Sequence, residues 1–295
     1  MSSIRDSASL MAIKDLSIAA KTVLDGFMNG INKSSLKGSG LEFSQYRSYQ
    51  PGDDLRWLDW KMFARSDRYY IRESEVETNI SIRIMVDASG SMSHLDGGYS
   101  KIQYARILAA SLAYLAQLQG DACGLYVFNE GQLFSLPSKQ DFQHLSRIFY
   151  QLEQIKPGGK FTSAVNYKDI YAGSRKRELL VFITDLYQEN SEIIKLLDSL
   201  NSLKNELIVF HLMGKNELDF NFNGFSALED LESGETIKID AGKFKQTYQT
   251  NLEAHLSSLK TQMLDRNIHY SMIRMDQLPD NALRDYLKQR NKTRT

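Results

Sequence analysis

The chain has 295 residues, 42% hydrophobic and 24% charged, the composition of an ordinary globular protein long enough for one large α/β domain or two small ones. Lysine plus arginine equals aspartate plus glutamate at 36 each, so no global field recruits nucleic acid or an anionic membrane surface. The lone Cys123 excludes an internal disulfide, and no apolar run approaches the ~20 residues that span a bilayer.

In chain order, residues 10–29 space their apolar positions at threes and fours, which predicts an amphipathic helix. Residues 1–23 lack the continuous apolar core of a signal peptide, so a cytoplasmic protein is expected. "GINKSSLKGSG" then breaks the pattern, and residues 41–79 turn dense in aromatics, Arg and Asp. From Ile80 onward strands and helices alternate. Strands are expected at 80–87, 122–128, 132–136, 178–185, 206–213 and 268–275, with helices at 100–119, 141–155, 163–173, 191–203, 243–266 and 280–291. Apolar strands separated by helices predict a doubly wound, mostly parallel α/β sheet covered on both faces. The short "NEG" link between the second and third strands adds one antiparallel edge. Helix 100–119 is apolar nearly all round and should be buried on several sides. "DLESGETIKID" (230–240) reads as a small added hairpin turning at Ser233-Gly234.

In doubly wound folds, ligands sit at the carboxyl ends of the strands. There the first strand ends "VDASGS", so that Asp87, Ser89 and Ser91 point the same way along an extended loop while Gly90 permits a tight turn. Asp185 ends another strand, in "FITD", and "PGGKFTS" (157–163) offers a further hydroxyl from Thr162 or Ser163. These are hard oxygen donors without His or Cys, a set that suits Mg2+ or Mn2+. The competing reading is that Asp87 and Ser91 cap helix 100–119 or stabilise a turn.

This constellation resembles the metal-ion-dependent adhesion site of von Willebrand factor A domains over roughly residues 78–290. The resemblance implies that Ser89 and Ser91 bind the ion directly, and that Thr162 joins them when a ligand is present. It implies that Asp87 and Asp185 act largely through water. Asp185 is followed by Leu186 where that family often has glycine. Upstream, "YRSYQPGDDLRWLDW…AR" (46–65) resembles the signature of a bacterial family known as domain of unknown function 58, on Arg47, Asp53, Asp54, Arg56, Asp59, Trp60 and Arg65 among others. That resemblance implies association with MoxR-type AAA+ ATPases in assembling or maturing other proteins. It divides the chain into an N-terminal helix and arm (1–77) packed on a von Willebrand factor A-like domain (78–295).

Asp53, Asp54 and Asp59 could form a second metal site, or pair with Arg47, Arg56 and Arg65 in a network that pins the arm, with Trp57 and Trp60 as its anchors. "KPGGKFT" is no phosphate-binding loop, because the required earlier glycine position holds Gln154. The five histidines lack zinc spacing. The expected function is a non-catalytic, divalent-metal-dependent protein-interaction module, in which a MoxR-type ATPase or its client supplies an Asp or Glu to the ion. The alternative is a metal-dependent phosphoryl-transfer hydrolase, for which Lys101 and Lys160 are the nearby clamps, both expected to be solvated.

Overall fold

A computed structural model describes residues 6–33, 46–48, 62–63, 65, 68–72, 80–130, 132–162, 167, 170, 177–188, 191–201, 205–220 and 225–294. Two helices open the chain, α1 (Ser7–Met11) and α2 (Leu16–Lys33), followed by a short antiparallel ribbon of β1 (Tyr46–Ser48) and β2 (Tyr70–Arg72). The main alternation begins with β3 (Ser81–Asp87), the ribbon β4 (Leu95–Asp96) and β5 (Tyr99–Ser100), and α3 (Lys101–Leu118). It continues through β6 (Ala122–Asn129), β7 (Gln132–Lys139), α4 (Phe142–Gln154), β8 (Leu179–Thr184), α5 (Glu192–Asn201) and β9 (Glu206–Met213). A short α6 (Lys215–Asp219) and the hairpin of β10 (Phe225–Glu229) and β11 (Thr236–Asp240) precede α7 (Ala241–Asp265), β12 (His269–Arg274) and α8 (Asp280–Arg294).

The sheet runs β12-β9-β8-β3-β6-β7, parallel throughout except for β7 at one edge. The expected doubly wound, mostly parallel α/β architecture with one antiparallel edge is what the chain forms. Side-chain alternation divides the core in two. Ile82, Ile84 and Val86 of β3 join Val181 and Ile183 of β8 on one face, under α2, α3 and α8. Met85, Leu180, Phe182 and Val209 point to the other face, where α5 and α7 cover them. Being buried on both faces, the central strands had to be continuous apolar runs, which made them legible. Between Cys123 and Leu125 the pairing of β6 with β7 shifts register. A Cβ at Gly124 would lie 2.8 Å from both the Leu136 carbonyl oxygen and the Ser138 nitrogen, so only glycine admits β7 this closely.

Helix α3 is buried at 13 of its 18 residues, between the sheet and α2 and α4. Ser100 caps it, accepting from the Gln103 amide while the Gln103 side chain accepts from the Ser100 amide at 2.7 Å. Asp87 and Ser91 are therefore not its caps. Two further expectations need correcting, and a third is untested. The single helix at 10–29 is two helices, because Asp15 accepts from the Ile18 amide at 3.0 Å and starts α2 afresh. The hairpin spans 225–240 rather than 230–240; the expected segment holds only its turn and second strand. The helix expected at 163–173 falls mostly outside the described residues.

Helix α2 contributes Ala19, Ala20, Val23, Leu24 and Phe27 to the same core as the sheet. Asp53, Asp54, Arg56, Trp57, Asp59 and Trp60 lie outside the described residues. Arg47 falls in β1, its side chain undescribed, and Arg65 is exposed. Among the described residues no helix is long and apolar enough to cross a membrane.

Candidate metal and interaction site

Strand β3 delivers Asp87 to the centre of the sheet's carboxyl edge, beside the end of β8. Its Oδ1 accepts from the Ser89 amide at 2.9 Å and its Oδ2 from the Thr184 hydroxyl at 2.7 Å, so Asp87 ties the two strand ends together. After it the chain extends through Ser89 and tightens into a 3-10 turn over Gly90–Ser93. This brings the Ser89 and Ser91 hydroxyls to 3.1 Å, and Ser91 donates to Asp185 Oδ1 at 3.1 Å. The Gly-Gly loop is sewn on by Gly90 N–H to the Gly159 carbonyl at 2.7 Å and Gly158 N–H to the Ala88 carbonyl at 2.9 Å. Thr162 ends that loop, its hydroxyl donating to the Tyr167 hydroxyl at 3.1 Å. Ser163 lies outside the described residues.

Where glycine is frequent, Leu186 adopts φ +55, the left-handed region that costs an L side chain about 1 kcal/mol or more. Two bonds hold it there: Leu186 N–H to the Thr184 hydroxyl at 2.9 Å, and Tyr187 N–H to Asp185 Oδ1 at 3.2 Å. The departure from glycine leaves the Asp185 carboxylate in position.

The electrostatics are those of a buried anionic cluster. Burial, then repulsion from Asp185, pushes the Asp87 pKa up to about 7. Burial also opposes ionisation of Asp185, but the Lys101 ammonium at 3.0 Å outweighs it and holds that pKa below the ordinary carboxylate value. Lys101 itself is buried, yet Asp185 and Glu217 (2.8 Å) hold its pKa above the ordinary lysine value. Contrary to the expectation that both lysines are solvated, Lys101 is buried, while Lys160 is exposed. A fourth carboxylate enters from the β10–β11 turn. Glu232 lies near Ser89 and Ser91, and burial, then Asp87 and Asp185, pushes its pKa to about 7. Its Oε1 is buried without a hydrogen-bond partner.

These features test whether a divalent ion fits. Among the described residues no three His, Cys, Asp or Glu side chains gather closely enough to hold a metal by themselves, so hydroxyls must serve as donors. Two carboxylates raised to about 7 and an orphaned anionic oxygen mark a place short of positive charge, which Lys101 supplies only on the Asp185 side. The donors are hard oxygens throughout. A magnesium-class ion fits them.

Asp87, Ser89, Ser91 and Asp185 thus lie together, while Thr162 stands on the adjoining loop. Sequence reasoning gave Thr184 no role of its own and missed Lys101's ion pairs, Glu217 and Glu232. Thr184 was visible as the residue before Asp185; the others meet the site only through long-range folding. It also missed His211, paired in register with Thr184 on β9 and hydrogen-bonded through Nδ1 to the Tyr270 hydroxyl at 2.8 Å. Burial lowers the His211 pKa to about 4. With the folded value below the unfolded one, this contribution to stability is complete above pH ~6.5 and is lost as pH falls towards 4. Thermal melts between pH 7 and pH 4 should therefore decline less steeply for His211→Phe than for the parent. The difference should be on the order of 3 kcal/mol across that range. Parallel curves would mean that His211 is not held neutral. His94, near the serines in sequence, turns instead to Asn216 at 2.9 Å.

Comparison with known proteins adds the following. A family model described as "Protein of unknown function DUF58" matches residues 45–258. The uncharacterized protein Rv1480 of Mycobacterium tuberculosis is 25% identical over 228 residues, covering 76% of this chain and 71% of that protein. Among solved structures, the conserved hypothetical protein BatB from Bacteroides thetaiotaomicron is similar at a TM-score of 0.48 and 16% identity, over 72% of this chain and 100% of that one. The SpRpn10 VWA domain is similar at a TM-score of 0.40 and 12% identity, over 70% of this chain and 94% of that one. Similarity at this level carries no functional inference.

Proposed function

The chain belongs to the DUF58 family of proteins of unknown function, and from that premise and the geometry above we propose that it is a non-catalytic, divalent-metal-dependent protein-interaction module. One observation carries the reading: two buried serine hydroxyls 3.1 Å apart stand at the carboxyl ends of β3 and β8, backed by two carboxylates. In this reading Ser89, Ser91 and Thr162 hold Mg2+ or Mn2+, with Asp87 and Asp185 acting through water. A bound ion supplies Lewis acidity towards an anionic oxygen.

The chain's own residues prepare that place. Asp87 spends both oxygens on Ser89 and Thr184, fixing the serine loop to β8. Asp185 orients the Ser91 hydroxyl and is itself steadied by Lys101. The partner group is an Asp or Glu of another protein, and we assign it to a MoxR-type AAA+ ATPase or its client. Phosphoryl transfer would ask for a cationic clamp, whereas the Lys101 ammonium is engaged by Asp185 and Glu217. That favours interaction over catalysis.

Calorimetry with Mn2+ tests the ion. The parent should bind it, and the Ser89→Ala, Ser91→Ala double variant should lose binding by at least about 100-fold while keeping its circular-dichroism spectrum. Gel filtration with the ATPase, in magnesium and again in EDTA, tests the partner. A complex that survives both chelation and the double substitution would place the partner elsewhere on the chain.

A further inference from the structure

The turn joining β10 to β11 is packed onto the serine loop. A Cβ at Gly90 would lie 2.5 Å from the Leu231 carbonyl oxygen and 3.1 Å from that of Gly159, so glycine alone lets the turn and the Gly-Gly loop close over this point together. Tyr187, two residues beyond Asp185, donates its hydroxyl to the Asp230 carboxylate. Asp230 in turn accepts from the amides of Glu232 at 2.8 Å and Ser233 at 3.0 Å. The Asp230 amide bonds the Glu235 carbonyl at 2.8 Å, and Gly234 N–H returns to the Asp230 carbonyl at 2.7 Å. The turn is therefore ordered by its own bonds and anchored beside the site.

Its side chains divide accordingly. Leu231, Ser233 and Glu235 are exposed, while Glu232 is partly buried and lies near Ser89 and Ser91. One of its oxygens, Oε1, is buried with no hydrogen-bond partner. Burying a carboxylate oxygen unpartnered is costly, and the carboxyl groups of Asp87 and Asp185 that act on it offer acceptors as well. Among the described residues, what the arrangement lacks is a positive charge at the serines.

We propose that Glu232 is an internal ligand of the ion at Ser89 and Ser91, occupying the position that a partner's carboxylate would take. The inference rests on the ion reading above and adds a regulatory consequence. The isolated chain is closed on itself, and a partner's Asp or Glu must displace Glu232 by lifting the Asp230–Glu235 turn off Gly90. Weak or stray carboxylates are thereby refused, because they compete with a ligand held in place by the same chain.

Titration of the metal-free full-length chain with Mn2+ tests this, reading affinity from free-ion paramagnetic resonance and coordinated water from proton relaxation. Glu232→Ala should weaken Mn2+ binding about tenfold and raise the relaxation per bound ion, since water enters the vacated position. Millimolar acetate should reverse that rise in the variant and leave the parent unchanged. Glu232→Gln, which keeps the shape of the turn, should shift both readings in the same direction by less. Equal affinity and relaxation in the parent and both variants would overturn the internal ligand while leaving the ion in place. A parent that binds no Mn2+ would overturn the ion reading and this inference with it.

Discussion

Arg290→Met should lower the stability of the chain by about 3–5 kcal/mol, the loss expected when one member of a buried ion pair is removed. Arg290 lies on α8 and donates from Nε to Asp121 Oδ2 at 2.5 Å, with side chains 3% and 0% exposed. Asp121 sits immediately before β6 and also accepts from the Ile80 amide at the entrance to β3. Without the guanidinium, its carboxylate stays in the interior with its buried cationic partner gone. For a chain of this size the loss corresponds to a fall in melting temperature of about 10 °C. The double variant Arg290→Met, Asp121→Asn should recover most of it, because neither buried charge remains. Equal melting temperatures for the parent and Arg290→Met would show that α8 is not pinned through this pair.

Which features were legible in the sequence follows from the distance over which each is determined. Strands β3 and β8 announce themselves because each is buried on both faces and is therefore mostly apolar, the buried Arg83 of β3 being paired with Glu178. The approach of Asp87, Ser89 and Ser91 is a matter of local alternation, and the meeting with Asp185 follows from two parallel strands ending at one edge. Lys101 was misread because a lysine opening a helix is ordinarily solvated. Here Ser100 caps the helix and the turn after β9 brings Glu217 to within 2.8 Å, so the ammonium is buried between carboxylates. Glu232 was missed for a related reason. Its segment was read as a hairpin, but nothing local says that Leu231 will lie on Gly90. The same holds for Asp121 and Arg290, whose pairing depends on where α8 docks.

Asp87→Asn should stabilise the metal-free chain at pH 8 and abolish most of the stabilisation by magnesium. Asp87 is fully buried, and its pKa of about 7 lies far above that of an unfolded aspartate. A carboxylate raised in this way binds its proton more tightly in the folded state. Its contribution is greatest near pH 4 and is lost as pH rises through about 7. At pH 8 without metal, the parent therefore carries the cost of a buried charge, a few kcal/mol by this reckoning. Asparagine removes that cost and can still accept from the Ser89 amide and meet the Thr184 hydroxyl. In EDTA at pH 8 the variant should melt above the parent, and the gap should close as pH is lowered towards 4. Magnesium acts the other way. At 100 times its dissociation constant a bound ion stabilises the parent by about 2.7 kcal/mol, whereas the variant, deprived of the charge behind the serine loop, should gain little. Melts of both proteins at pH 8, with EDTA and with saturating magnesium, decide the matter. If the two rise by the same amount on adding magnesium, the ion is held without Asp87, and its carboxylate serves only to join β3 to β8.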